Sequence, residues 1–189
     1  MIINRSVHFI AMGSNVPIGG DLPRNTVAAA LTKLQQHGWV IRRISRFFET
    51  PSFPPGSGPD FVNAVVAIAT EDPPEKVLHR LHDIEADFDR RRDKRWAART
   101  LDLDLIASGD TVLPDEAGLR AWMDLSLEAQ QSSAPEGLLL PHPRIQDRAF
   151  VLVPLCDIAP DWEHPVLRKT ARALLAELPD DDIAAIRAI

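Results

Sequence analysis

Between residues 100 and 106 the chain reads Thr100-Leu101-Asp102-Leu103-Asp104-Leu105-Ile106. Strict alternation of polar and apolar side chains over that length is what a β-strand with one buried face requires. Residues two apart on a strand share a face, so Leu101, Leu103 and Leu105 turn toward a core while Asp102 and Asp104 project together on the other side. Two carboxylates about 7 Å apart can hold a hard cation. Magnesium in particular takes a few carboxylates and completes its shell with phosphate oxygens and water. An exposed polar strand face carries the same pattern, so the surrounding residues have to decide between the two.

Reading outward from this strand, apolar alternation over residues 7–11 predicts a first strand, with Gly13-Ser14-Asn15 as the turn that ends it. Val27, Ala30, Leu31 and Leu34 recur at helical spacing, with Asp21 or Asn25 as cap and Gly38 as stop. A second strand over residues 39–48 and a third over 61–70 flank a Pro/Gly/Ser loop at 51–59. Pro73 and Pro74 open another helix, whose stripe Val77, Leu78, Leu81, Ile84 and Phe88 is amphipathic. The order is βαββαβ, an α+β ferredoxin-like arrangement in which an antiparallel sheet carries both helices on one face. The acidic stretch 109–137 reads as an excursion, a surface flap or disordered, with one short helix near 118–123. An apolar segment at 149–155 and a final helix at 170–178 follow, the latter in a C-terminal helical extension over 163–189. The chain of 189 residues, 45% hydrophobic and 25% charged, is long enough for one sizeable core, so a single domain over 1–189 is expected.

Several function classes drop out at this level. A formal net charge of −6 argues against a general polyanion binder and leaves no nucleic-acid partner expected, because that work needs a broad basic surface. Cys156 is the single cysteine, which excludes an intrachain disulfide or a cysteine-based zinc cluster. No apolar run reaches the roughly 18 residues of a membrane span, so a cytoplasmic protein without a membrane partner is expected.

Against that acidic background, Arg90, Arg91, Arg92, Lys94, Arg95 and Arg99 place six of the 21 basic residues immediately before the aspartates. Guanidinium groups offer forked donors for phosphate oxygens; a solvated charged loop is the other reading of the run. Trp96, inside it, either anchors the loop to the core or stacks on a flat heterocycle. A second constellation joins Thr50-Pro51 to Phe61-Val62-Asn63, where alternation puts Phe61 and Asn63 on one face. Asn63 there either bridges backbone or pairs with a polar ligand. A third runs from Pro141-His142-Pro143 to Arg148-Ala149-Phe150, combining a rigid turn, phosphate-compatible side chains and an aromatic.

These three blocks, in this order, resemble the 6-hydroxymethyl-7,8-dihydropterin pyrophosphokinase family over roughly residues 7–162. The most specific match is Arg95-Trp96-Ala97-Ala98-Arg99-Thr100-Leu101-Asp102-Leu103-Asp104, similar to the family's Arg-Trp-Gly-Pro-Arg-Thr-Leu-Asp-Leu-Asp. Phe61-Val62-Asn63-Ala64, Ile84-Glu85, Pro141-His142-Pro143 and Arg148-Ala149-Phe150 support it. The departures are Ala97-Ala98 for Gly-Pro, Asp89 before the arginines and a longer 109–137 excursion.

The resemblance implies a folate-pathway enzyme that moves the diphosphate of ATP onto the pterin hydroxymethyl group and releases AMP. It implies two Mg2+ ions on Asp102 and Asp104. Thr50, Pro51, Phe53, Phe61, Asn63, Trp96 and Phe150 would form the pterin pocket. Glu85, Arg92, Arg95, Trp96, Arg99, Leu105, His142 and Arg148 would lie along ATP, and Arg90, Arg92 and Arg99 would act with the two aspartates in the transfer. A catalytically degenerate pterin- or nucleotide-binding relative, or a ferredoxin-like RNA-binding module, are the competing classes. The general base stays unassigned.

Overall fold

The computed structural model describes residues 5–52, 56, 58–88, 100–126, 129 and 135–189. Its sheet is built from β1 (Ser6–Ser14), β2 (Val40–Ile44), β3 (Phe48–Thr50), β4 (Phe61–Thr70) and β5 (Asp102–Ser108), with α1 (Pro23–Gln36) between β1 and β2 and α2 (Pro74–Asp87) between β4 and β5. Every pairing is antiparallel. β1 lies between β5 and β4, and β2 and β3 both pair with the far side of β4. The result is a mixed fold of helices on an antiparallel sheet.

The single strand expected over 39–48 is two strands. Ile44 pairs with Val66 and Phe48 with Asn63, so residues 45–47 face only Ala64 and Val65, one residue too many for a continuous ladder. Ser45 absorbs the mismatch: its backbone N–H donates to Val65 O at 2.9 Å, and its Oγ accepts from Val65 N at 2.9 Å in place of a backbone carbonyl. The bulge turns Arg46 outward, where its backbone N, Nε and Nη2 donate to Asp157 at 2.8, 3.1 and 2.8 Å.

Neither helix of this unit has a side-chain N-cap. Leu22 and Pro73 occupy the cap positions, and Pro23 and Pro74 follow at N1, where a missing N–H costs nothing. Asp21 and Asn25 therefore do not cap α1. Gly38, at φ +79°, follows its last turn.

One core lies between the sheet and these helices, with Ile10, Met12, Ile68, Leu101, Leu103 and Leu105 meeting Val27, Leu34, Val77, Leu81 and Ile84. A second core covers the opposite face, the one that a ferredoxin-like arrangement leaves for additional structure or a ligand. The apolar segment at 149–155 is a helix, α4 (Ala149–Ile158), and Val151, Leu152, Leu155 and Ile158 pack on Phe9, Val65, Ala67 and Ile106. Coverage on both sides explains why β4 is buried continuously from Asn63 to Thr70 rather than at alternate positions.

In the excursion, α3 (Glu116–Met123) is capped by Asp115, which accepts from Gly118 N at 2.7 Å. Its base is pinned where Leu113 and Leu140 exchange backbone hydrogen bonds of 2.8 and 3.2 Å; residues 127, 128 and 130–134 lie outside the described residues. The helix expected over 170–178 is shorter, α5 (Ala171–Leu175), capped by Thr170. It is followed by α6 (Asp180–Ala184) and a two-residue strand β6 (Arg187–Ala188) that pairs with β3. No helix among the described residues is long and apolar enough to cross a membrane.

Candidate active site

β5 places Asp102 and Asp104, both half-buried, on the face away from α1 and α2, while Leu101, Leu103 and Leu105 are at most 3% exposed in the helix-side core. The side chain of Leu105 is therefore apart from the carboxylates. Between the aspartates, the backbone N–H of Leu103 donates to Glu85 Oε1 at 2.7 Å. Glu85 is 1% exposed on α2, so the structure puts this expected ATP contact under the strand, where its carboxylate fixes the backbone that carries both aspartates.

Beside Asp102 in the sheet stands Gly13, which pairs with Asp102 on one side and Asn63 on the other. A Cβ at Gly13 would sit 2.6 Å from Asn63 Oδ1 and 3.7 Å from the Phe61 ring. Glycine is the residue that lets the buried Asn63 amide lie across the strand. Asn63 Nδ2 in turn donates to Thr50 Oγ1 at 2.6 Å, with Thr50 2% and Asn63 8% exposed. Thr50, Phe61 and Asn63 are thus brought together, Pro51 lies exposed next to them, and Asp102 stands across β1 from Asn63.

Gly13-Ser14-Asn15 is not the turn expected from the sequence, because Gly13 and Ser14 belong to β1. Ser14 Oγ donates to Thr100 O at 2.6 Å and Asn15 Nδ2 to Pro59 O at 3.1 Å. These residues stitch β1 to the entries of β5 and β4, and they were missed as site residues. The signal was present as a glycine in a strand pattern, which marks close approach of another group.

From the other side come His142, Arg148 and Phe150. The backbone N–H of His142 donates to Ile106 O at 2.8 Å, beyond the outer edge of β5. Its Nδ1 accepts from Arg144 N at 3.1 Å, which leaves the proton of the neutral ring on Nε2. Burial, helped by Arg148 and opposed by Asp102, pushes the His142 pKa down to about 3, so the ring is neutral at physiological pH. Arg148 is the N-cap of α4 and stands over the Phe150 ring, 5.6 Å from its centroid.

Phe53, Arg90, Arg92, Arg95, Trp96 and Arg99 lie outside the described residues, as do Asp89 and Ala97-Ala98. Among the described residues no group of three or more His, Cys, Asp or Glu could enclose a metal ion. The donor set is the Asp102–Asp104 pair on one strand face. That suits a magnesium ion that draws its other ligands from phosphate and water better than a metal held in a full protein cage.

Comparison with known proteins agrees with this geometry. A curated 2-amino-4-hydroxy-6-hydroxymethyldihydropteridine pyrophosphokinase of Synechocystis is 33% identical over 170 residues, covering 89% of this chain and 74% of that protein. Its counterpart in Pseudomonas aeruginosa is 34% identical over 176 residues and 93% of both chains. Among solved structures, Plasmodium falciparum HPPK-DHPS superposes with a TM-score of 0.62 at 15% identity, over 92% of this chain. That likeness concerns the fold, and this chain spans less than half of that protein, 45%. The profile of the 7,8-dihydro-6-hydroxymethylpterin-pyrophosphokinase (HPPK) family matches residues 9–160, the span that carries the aspartate pair, the Thr50–Asn63 contact and the His142–Arg148 segment, and the chain belongs to that family.

Proposed function

We propose that this chain, acting as one unit over 1–189 with a ferredoxin-like βαββαβ core, transfers the diphosphate of ATP to the hydroxymethyl group of 6-hydroxymethyl-7,8-dihydropterin. The pterin hydroxyl oxygen attacks the β-phosphorus, the bond from that phosphorus to the α-phosphate oxygen breaks, and AMP leaves. The observation that carries this reading is that Asp102 and Asp104 stand across β1 from the buried Asn63–Thr50 pair. It sets a carboxylate platform for a nucleotide–metal complex beside a polar group able to read the edge of a flat heterocycle.

On this reading Asn63 reads the pterin, Thr50 orients its amide, Pro51, Phe53, Phe61, Trp96 and Phe150 enclose the ring, and His142, Arg148 and Arg95 contact the nucleotide. Arg90, Arg92 and Arg99 meet charge spreading over the transferring group. Asp102 and Asp104 would hold two Mg2+ ions, which when bound neutralise phosphate charge and help to align the reacting groups. Glu85 acts beneath them through the Leu103 backbone. Most of the rate enhancement then comes from alignment and electrostatics, with no covalent nucleophile.

The test is nucleotide analysis after mixing the protein with Mg2+, ATP and 6-hydroxymethyl-7,8-dihydropterin. AMP that forms only when the pterin is present supports diphosphate transfer. ADP in its place would assign a different phosphotransfer, and absence of turnover would overturn the assignment.

A further inference from the structure

On the outer side of β3 lies a recess lined by Glu49, Thr50, Pro51 and Asp60 on one wall and by Ala184, Ala185 and Arg187 on the other. Two of these residues, Thr50 and Pro51, belong to the pterin wall proposed above, so this recess backs directly onto it. The opposite wall comes from residues beyond 160, where the family match ends.

β3 is only three residues long, and the bulge at Ser45 separates it from β2, so it gains nothing from a longer strand. Its inner edge pairs with β4. Its outer edge is taken by β6, with Phe48 opposite Ala188 and Glu49 opposite Arg187. The Ile189 N–H donates to Phe47 O at 2.9 Å and Arg187 Nη2 donates to Glu49 Oε2 at 2.8 Å. α6, just before β6, packs against α4, the helix that carries Phe150. A three-residue strand with one free edge frays readily, and the residue at its end is Thr50, whose hydroxyl accepts from Asn63.

We propose that residues 187–189 form a positioning element for the pterin wall: by pairing with the outer edge of β3 they hold Thr50 where it fixes the Asn63 amide. The proposal rests on the pterin reading of that pocket. It assigns no chemistry to the segment, and its consequence is selective. The pterin side depends on β6, while the aspartates on β5, at the opposite edge of the sheet, do not.

Two variants test it. Ile189→Pro removes the donor to Phe47 O, and Arg187→Glu sets like charges opposite each other at Glu49. Loss of one or two hydrogen bonds predicts a KM for the pterin raised about threefold to tenfold, with the KM for ATP and the thermal midpoint unchanged. An unchanged pterin KM overturns the proposal. So does a rise in both KM values together with a fall in thermal midpoint, which would make the segment a brace for the whole fold. If one variant fails to fold, the other decides. Pterin affinity measured by calorimetry reads the same shift without turnover. A wild-type protein that binds pterin but releases no AMP would therefore sink the reaction and leave the positioning role measurable; one that binds no pterin would sink both.

Discussion

A single missing carbon shapes the centre of the candidate site. Adding a Cβ at Gly13 brings it within 2.6 Å of Asn63 Oδ1, and the amide cannot simply retreat, because its nitrogen is committed to Thr50. Gly13→Ala should cost about 1–3 kcal/mol of stability through overpacking and raise the pterin KM more than the ATP KM, measurable by denaturant titration alongside steady-state kinetics. Asp104→Asn keeps the shape of the side chain and removes its charge. Turnover should fall by roughly a hundredfold or more while circular dichroism and thermal midpoint stay near wild type; full activity would remove the metal assignment. Alternation alone placed Asp102 and Asp104 on one face, because a period of two leaves no other arrangement once the leucines are buried. The carboxylate of Glu85 could not be placed that way: its acceptor role depends on α2 lying under the Leu103 backbone, a contact 18 residues away in sequence.

At the scale of elements, α4 decides how the site is closed on its second side. The helix is apolar on nearly every side and contains Pro154, so its sequence shows no 3.6-residue period and could not be told from a buried strand. Its type and its face follow only once the sheet is present to receive it. Truncating Leu152, fully buried between α4 and the sheet, removes contacts that the surroundings cannot refill, and Leu152→Ala should destabilise the protein by about 2–5 kcal/mol in urea unfolding. The break between β2 and β3 has a similar origin. Nothing local in residues 39–48 ends a strand; the one-residue mismatch with β4 and the outward pairing of Arg46 with Asp157 do.

For the molecule as a whole, acid is the condition that should unfold it. Burial lowers the pKa of His8, and that of His164 falls to about 4, again chiefly through burial, with Arg120 nearby adding to it. An unfolded histidine titrates near 6.5, so as pH falls below that value the unfolded chain takes up protons that the folded chain refuses. Stability is fully present above about pH 6.5 and declines below it, by up to about 1.4 kcal/mol per pH unit for each such histidine. Urea midpoints measured from pH 7.5 to 4.5 should show the decline, and His164→Asn, which keeps an acceptor for Val166 N and Leu167 N, should flatten it by about one proton. A pH-independent midpoint would contradict the burial of these rings. By itself the sequence determined the order of strands and helices around the first core, the inward leucines of β5, the shared face of its two aspartates and the resemblance of its motifs to one enzyme family. The elements and their faces follow from periodicity and spacing, which act within a few residues; the resemblance rests on the residues of the motifs themselves. Only the tertiary structure decided which groups stand beside the aspartates. The approach of Asn63 over Gly13, the burial of Glu85 and the pairing of β6 with β3 join residues 18 to about 140 positions apart, and packing, with no local pattern to announce it, brings them into contact.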